Sequence, residues 1–317
     1  MADTTPPAPP NASAPPPSTV PSGPPSPSAP PSASPSPATS PSPAPSPGGS
    51  RDGGSGDGGP RDDGPPRLTH LDFHGPLSEA RAARMVARLA AVRPATVLDI
   101  GCGWGEFMLR VLDAVDGATG VGIDLNADDL ARGRANAAAR GLADRVEFAE
   151  ESGHGTTRGP ADLVLCLGAG QAVSGPESPH NYRTVLRELR RLVTPGGRVL
   201  YGEGFWQRPP TTAELTRMWP GATAEEHVGL GELVDLAVEA GFRPAWVETA
   251  NADEWEAFES GYRCAVEEWL AAHPGHPLAA ETRARADAHR AAWLTGYRDV
   301  LGLAYLTLVP AEPTPAD

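Results

Sequence analysis

Lysine is absent from all 317 residues, and every one of the 26 basic side chains is an arginine. The chain therefore cannot build a phosphate loop of the G-x-x-x-x-G-K-[ST] type, a Schiff base to a carbonyl or pyridoxal group, or a lysine general base. Positive charge is scarce altogether: 40 acidic residues give a net charge of −14, which weighs against a nucleic-acid partner held by phosphate neutralisation. The three cysteines, Cys102, Cys166 and Cys264, are far apart and not in metal-ligand spacing, and His273 and His276 share a turn-like stretch without nearby thiols. No metal is expected, and the thiols fit a reducing compartment. No run of 18 or more apolar residues occurs, and residues 1–10 lack the basic start of a leader, so a cytoplasmic protein without membrane contact is expected.

Proline is abundant but unevenly placed. Of 37 prolines, 22 precede Arg67, in a Pro/Ser/Ala tract that passes into a Gly/Asp run. With almost nothing apolar to bury, residues 1–66 are predicted to be a disordered arm. The arm carries Arg51 and Arg61 against five acids, so residues 67–317 are acidic in their own right. They are long enough for one sizeable domain.

In that domain short apolar runs alternate with helical stretches. Strands are predicted at Thr96 to Ile100, Gly120 to Asp124, Val146 to Phe148, Asp162 to Leu167, Val199 to Gly202, Pro244 to Glu248 and Leu301 to Val309. Helices are predicted at Trp104 to Val115, from Asn126 to Arg140, and at Tyr182 to Leu192, Leu230 to Ala240, Asp253 to Leu270 and Ala279 to Leu294. Strand–helix alternation of this length implies a doubly wound α/β fold with helices on both faces of a mostly parallel sheet.

The chemistry concentrates in Asp99-Ile-Gly101-Cys102-Gly103-Trp-Gly105, on the turn from the first strand to its helix. Glycines there let the backbone approach a ligand, and Asp124 at the end of the next strand suits a carboxylate accepting from two ribose hydroxyls. The dinucleotide fingerprint G-x-G-x-x-G requires Gly or Ala where Glu106 stands, and a carboxylate at a helix start repels a pyrophosphate. The expected ligand is a nucleoside without phosphates.

Val97-Leu-Asp-Ile-Gly-Cys-Gly-Trp-Gly105 resembles motif I of class I S-adenosylmethionine-dependent methyltransferases, and Gly120-Val-Gly-Ile-Asp124 resembles their acidic second-strand motif. Leu192-Val-Thr-Pro-Gly-Gly-Arg-Val-Leu200 is similar to the turn into their fifth strand. A narrower likeness, carried by His74-Gly-Pro-Leu-Ser78, Cys166-Leu-Gly-Ala-Gly-Gln-Ala172, Gly202-Glu-Gly-Phe-Trp206 and Asp253-Glu-Trp255, points to a bacterial small-molecule-type subfamily of unassigned substrate. The resemblance implies a seven-stranded Rossmann-like sheet whose last strand is antiparallel, with S-adenosyl-L-methionine as cofactor. It implies that Gly101, Cys102, Gly103 and Gly105 lie beside the methionine part of the cofactor and that Asp99 orients the loop and meets the ammonium. Asp124 would bind the ribose, Leu125 would flank adenine, Glu151 or Ser152 would contact the adenine amine, and Leu167 and Gly168 would close the site near the sulfonium.

A sulfonium methyl is already activated, so transfer mainly requires a nucleophile held at attack distance with water excluded. His74 and Glu203 are candidate bases. Gln171 stands where the resembling sequences often carry histidine, and can position a hydroxyl, amine or water but not take a proton. Phe205, Trp206 and Trp255 are candidate substrate-pocket residues, whereas Trp246, Trp269 and Trp293 are assigned to packing. The expected activity is methyl transfer to an O, N or C nucleophile of a small organic metabolite. The alternative is a non-catalytic cofactor-binding protein whose Pro-rich arm recruits a partner. The oligomeric state is open.

Overall fold

The computed structural model describes residues 64–175 and 181–311, so the predicted arm lies outside the described residues except for its last three. Seven strands form one sheet: β1 (Thr96–Ile100), β2 (Thr119–Asp124), β3 (Val146–Glu150), β4 (Ala161–Leu167), β5 (Val193–Trp206), β6 (Phe242–Thr249) and β7 (Leu301–Pro310). Their order is β3-β2-β1-β4-β5-β7-β6. Neighbours pair parallel except for β7, which runs antiparallel to both β5 and β6. This is the mostly parallel, doubly wound sheet with an antiparallel last strand that the sequence implies.

The helices are α1 (Glu79–Ala90), α2 (Glu106–Ala114), α3 (Ala127–Ala139), α4 (Gly170–Ser174), α5 (Tyr182–Leu192), α6 (Thr212–Leu215), α7 (Leu230–Glu239), α8 (Ala252–Ala272) and α9 (Ala279–Ala292). In α5, Tyr182, Val185, Leu186, Leu189 and Leu192 recur at helical spacing and are buried, and Asn181 caps the start by accepting the Thr184 N–H at 3.0 Å. Each such fully buried aliphatic side chain contributes roughly 1.5–3 kcal/mol. The alternation of β1 splits the core. Val97 joins α1 and α2 on one face, while Leu98 and Ile100 join α5 and α7 on the other.

Two departures from the predicted elements matter for the site. β5 does not stop at Gly202 but continues to Trp206, because β7 runs beside it from Val199↔Leu308 to Trp206↔Leu301. The last helical stretch ends as α9 at Ala292 and gives way to one π-helical turn, Trp293–Tyr297. α1 lies outside the predicted elements because its Ala/Arg composition supplies few large apolar side chains. Trp269 and Trp293 are buried as assigned, but Trp246 is 50% exposed on β6, with the Arg88 guanidinium 4.2 Å from its ring centre.

Strand order reverses between β1 and β4, so the crevice at their carboxyl ends is where a doubly wound sheet presents a ligand.

Candidate functional site

The turn leaving β1 is held in place by its neighbours. The N–H groups of Gly101 and Cys102 donate to the Ile123 carbonyl at 2.9 and 3.1 Å. Gly101 has φ +64°, and a Cβ there would lie 2.4 Å from the Ala169 Cβ, so only glycine lets the turn lie against the end of β4. Asp124 organises the turn from the other side: Oδ2 accepts the Gly103 N–H at 2.8 Å and Oδ1 accepts the Asn126 N–H at 2.9 Å. Each oxygen keeps acceptor capacity for a ligand hydroxyl. Asp99 is buried on β1. Burial, reinforced by the Asp124 charge, pushes its carboxyl up to about 8. Burial also pushes the Cys102 thiol far up, and the Asp99 and Asp124 carboxylates add to that. Glu106 does not face the turn. It is clamped by Arg110 at 2.7 Å and by Arg140 at 2.7 and 2.8 Å, so what disfavours a dinucleotide is its side chain in the glycine position rather than free charge.

Residues 67–78 form a strap over this turn. Leu68, Leu71 and Phe73 enter the core, Arg132 donates to the carbonyls of Leu68 and Leu71, and Trp104 Nε1 donates to the Asp72 carbonyl at 2.8 Å. His74 is thereby brought to the glycine turn, with Nδ1 3.9 Å from where a Gly103 Cβ would stand. Its ring stacks on Trp104 at 5.4 Å, and Arg132 lies 3.9 Å from the same indole. Burial, then the charge of Arg67, lowers the His74 pKa to about 4, against the opposing pull of Asp124. The imidazole is neutral at pH 7, and its buried Nε2 has no partner among the described residues.

At the outer edge of the crevice Leu125 is 71% exposed, an apolar platform beside Asp124. The Glu151 N–H donates to the Asp124 carbonyl at 3.1 Å, but the Glu151 side chain pairs with Arg158 at 2.8 Å. Ser152 Oγ accepts the His154 N–H. Opposite, Gly168 donates to the Gly202 carbonyl at 2.8 Å, and a Cβ on it would meet nothing within 4 Å, so the end of β4 opens on free space. Leu167 pairs with Gly202, which sets Glu203 one residue further along β5. Glu203 Oε2 accepts from the Tyr201 hydroxyl at 3.0 Å and Oε1 accepts the Gly204 N–H at 3.0 Å. A Cβ at Gly170 would lie 2.1 Å from Oε2, so glycine is what lets α4 begin against this carboxyl. Burial raises its pKa to about 7, although the hydrogen bonds from Gly204, Tyr201 and Gly170 oppose the rise. Gln171 follows on α4, half-buried.

The aromatic candidates separate. Phe205 and Trp206 point to opposite faces of β5 and join different cores, and Trp206 Nε1 donates to the Ala224 carbonyl at 2.8 Å. Trp255, on α8, packs against Phe258 and Tyr297, and its buried Nε1 has no partner among the described residues. Sequence reasoning missed Tyr201, Trp104 and Arg132. Tyr201 was legible, since it stands two residues before Glu203 on a strand and so shares its face. Trp104 and Arg132 meet His74 through the strap, and no local pattern announces that.

Comparison with known proteins bears on the family. A family described as "Methyltransferase domain" matches residues 98–199, the span from β1 into β5. A methyltransferase from Geobacter sulfurreducens solved with S-adenosyl-L-homocysteine superposes with a TM-score of 0.66 at 26% identity, covering 78% of this chain and 99% of that one. A second, from Thiobacillus denitrificans, also solved with S-adenosyl-L-homocysteine, gives 0.65 at 27% identity over 75% and 94%. The chain has the class I methyltransferase fold, and the family model it matches and these full-length structural neighbours are methyltransferases, the neighbours S-adenosylmethionine-dependent. This methyltransferase is also similar to the uncharacterized protein YjhP of Escherichia coli K12, 27% identical over 238 residues, 74% of this chain and 93% of that protein. Its cofactor is S-adenosylmethionine. The residues at the crevice fit that group: there is open space beside Gly168, Leu125 is exposed, Asp124 keeps acceptor capacity, and the buried His74 Nε2 has no partner among the described residues. No helix among the described residues is long and apolar enough to cross a membrane.

Proposed function

We propose that this methyltransferase acts on a small organic metabolite, at an O, N or C atom that carries a proton in the resting acceptor, and that Glu203 removes that proton. S-adenosylmethionine supplies the activated methyl group. The backbone of Gly101, Cys102, Gly103 and Gly105 lies beside its methionine part, Asp99 meets the ammonium, and Asp124 receives the ribose hydroxyls. Leu125 flanks the adenine, Glu151 or Ser152 meets the adenine edge, and Leu167 and Gly168 border the sulfur.

The observation that carries the reading is Glu203, a partly buried carboxyl with a pKa of about 7, placed one residue past the end of β4 and held by Tyr201 and Gly204. A base poised near the working pH is the form general catalysis favours. His74, neutral and stacked on Trp104 at the glycine turn, is better suited to donate or accept one hydrogen bond at the cofactor than to take the acceptor's proton. Gln171 positions the acceptor, and the buried, unpartnered indole N–H of Trp255 is a hydrogen-bond donor the acceptor can use. Phe205 and Trp206 support β5 from its two cores. The acidic domain disfavours polyanionic acceptors such as nucleic acid.

The test is incubation of the purified chain with methyl-labelled cofactor and a small-metabolite extract, followed by mass spectrometry. Labelled small molecules are expected. Glu203→Gln should keep S-adenosylhomocysteine affinity within about twofold while losing roughly 10²–10⁴ in turnover. Label on a macromolecule would overturn the substrate class. Cofactor binding without turnover across the extract would favour the non-catalytic alternative.

A further inference from the structure

Outside the crevice, three side chains of different chemistry converge where the strap meets α8. Cys264 and Glu268 are four residues apart on α8 and so share one helix face, and His70 reaches them from the strap. One donor atom from each, imidazole nitrogen, thiol sulfur and carboxylate oxygen, lies within 4.8 Å of the other two. We propose that His70, Cys264 and Glu268 form a binding site for a divalent transition-metal ion of the zinc type, which fastens the strap to α8.

The geometry supports a tetrahedral ion. Thiolate and carboxylate ligands at about 2.3 and 2.0 Å from zinc stand about 3.5 Å apart when the angle between them is tetrahedral. The Cys264 Sγ to Glu268 Oε1 distance is 3.6 Å. His70 is exposed, so its ring can turn inward without disturbing packed neighbours. Its backbone is fixed on both sides: Leu68 and Leu71 are buried, Arg132 holds both their carbonyls, and Gly261 of α8 lets Leu71 so close that a Cβ there would lie 2.6 Å from its Cδ2. A donor set of one sulfur, one nitrogen and one oxygen selects zinc, cobalt, nickel or copper over magnesium or calcium, whose sites are built from oxygens. Three protein ligands leave a fourth position for water or another donor. Cysteine spacing could not reveal this site, because its third ligand lies nearly 200 residues upstream of the other two.

The test uses the full-length, tag-free chain, reduced and stripped with chelator, and titrated with Co²⁺ while absorbance is recorded. One equivalent should produce a thiolate-to-cobalt charge-transfer band with tetrahedral visible bands, and Zn²⁺ should bleach both. Cys264→Ser should abolish the charge-transfer band. His70→Ala and Glu268→Gln should each weaken binding by about tenfold or more. Circular dichroism and S-adenosylhomocysteine binding check that each variant is folded. The proposal is overturned if the parent chain shows no charge-transfer band, if the band survives in Cys264→Ser, or if His70→Ala and Glu268→Gln bind cobalt as the parent does.

Discussion

Cofactor binding should release a proton, and Asp99 is its source. The carboxyl is buried beside Asp124 with a pKa of about 8, so at pH 7 about nine in ten copies are protonated in the empty protein. In the proposed placement the ammonium of S-adenosylhomocysteine brings a positive charge to this pair of acids, and an adjacent opposite charge lowers a carboxyl pKa by about 1–3 units. A fall of two units leaves about one copy in ten protonated at pH 7, so about 0.8 protons leave per ligand bound. Because protons are released, affinity must rise with pH, by about 2.7 kcal/mol or roughly a hundredfold between the limits below pH 6 and above pH 8. Calorimetry at pH 7 in two buffers of different ionisation enthalpy counts these protons directly. In Asp99→Asn, which keeps the shape but cannot ionise, the release should vanish, and in Glu203→Gln it should persist. Zero release by the parent chain, or undiminished release by Asp99→Asn, would refute the placement of the ammonium beside Asp99.

Glu203 has a folded pKa raised above its unfolded value, so the native state holds a proton that the unfolded chain has already lost between pH about 4.5 and about 7. Stability should therefore fall as pH rises across that window, by about 3 kcal/mol from this group, and Glu203→Gln should remove that part of the slope in urea melts; an unchanged slope would contradict it. Glu254 shows the opposite sign. Burial pushes its carboxyl up, but hydrogen bonds from Arg81, Ser78 and Asn251 outweigh this and hold it at about 2, so its stabilisation is present above pH 4.5 and lost toward pH 2. Glu254→Gln should cost about 3–5 kcal/mol at pH 7 in the same melts, since it strips the main partner from Arg81. Gly105→Ala places an L-residue at φ +65° with its Cβ 2.6 Å from the Phe148 ring, costing about 1–2 kcal/mol for the backbone and about 1–3 for the overlap. A thermal midpoint and cofactor affinity equal to those of the parent would show that the turn is not held as described.

The fold was largely legible because most of its elements are locally encoded. α5 begins and ends where its Asn181 cap and apolar period place it, and Asp124 could be located because one strand, one turn and one helix separate it from Asp99. The tertiary features were not legible. Phe205 and Trp206 look like neighbours in a loop after Gly202, yet β7 extends the strand past them, and the period of two sends them to opposite cores. His74 was a candidate base from sequence, but its neutrality and its stacking on Trp104 follow from the strap's burial, which depends on contacts with Trp104 and Arg132. The Glu203 carboxyl was a candidate from sequence. Its raised pKa comes from burial, which no local sequence pattern shows.

The position of β7 sets a timetable for synthesis. β6 cannot join the sheet until β7, which lies between it and β5, has left the ribosome last of the seven strands, after the whole of α8 and α9. The half of the sheet that holds the glycine turn, Asp124 and the end of β4 can assemble while the rest is still being made. The β5 edge meanwhile presents unpaired backbone groups next to Glu203. Until Leu301–Pro310 has been made, a nascent chain lacks the strand that pairs with the β5 edge, and that edge is open to strand addition and to proteolysis.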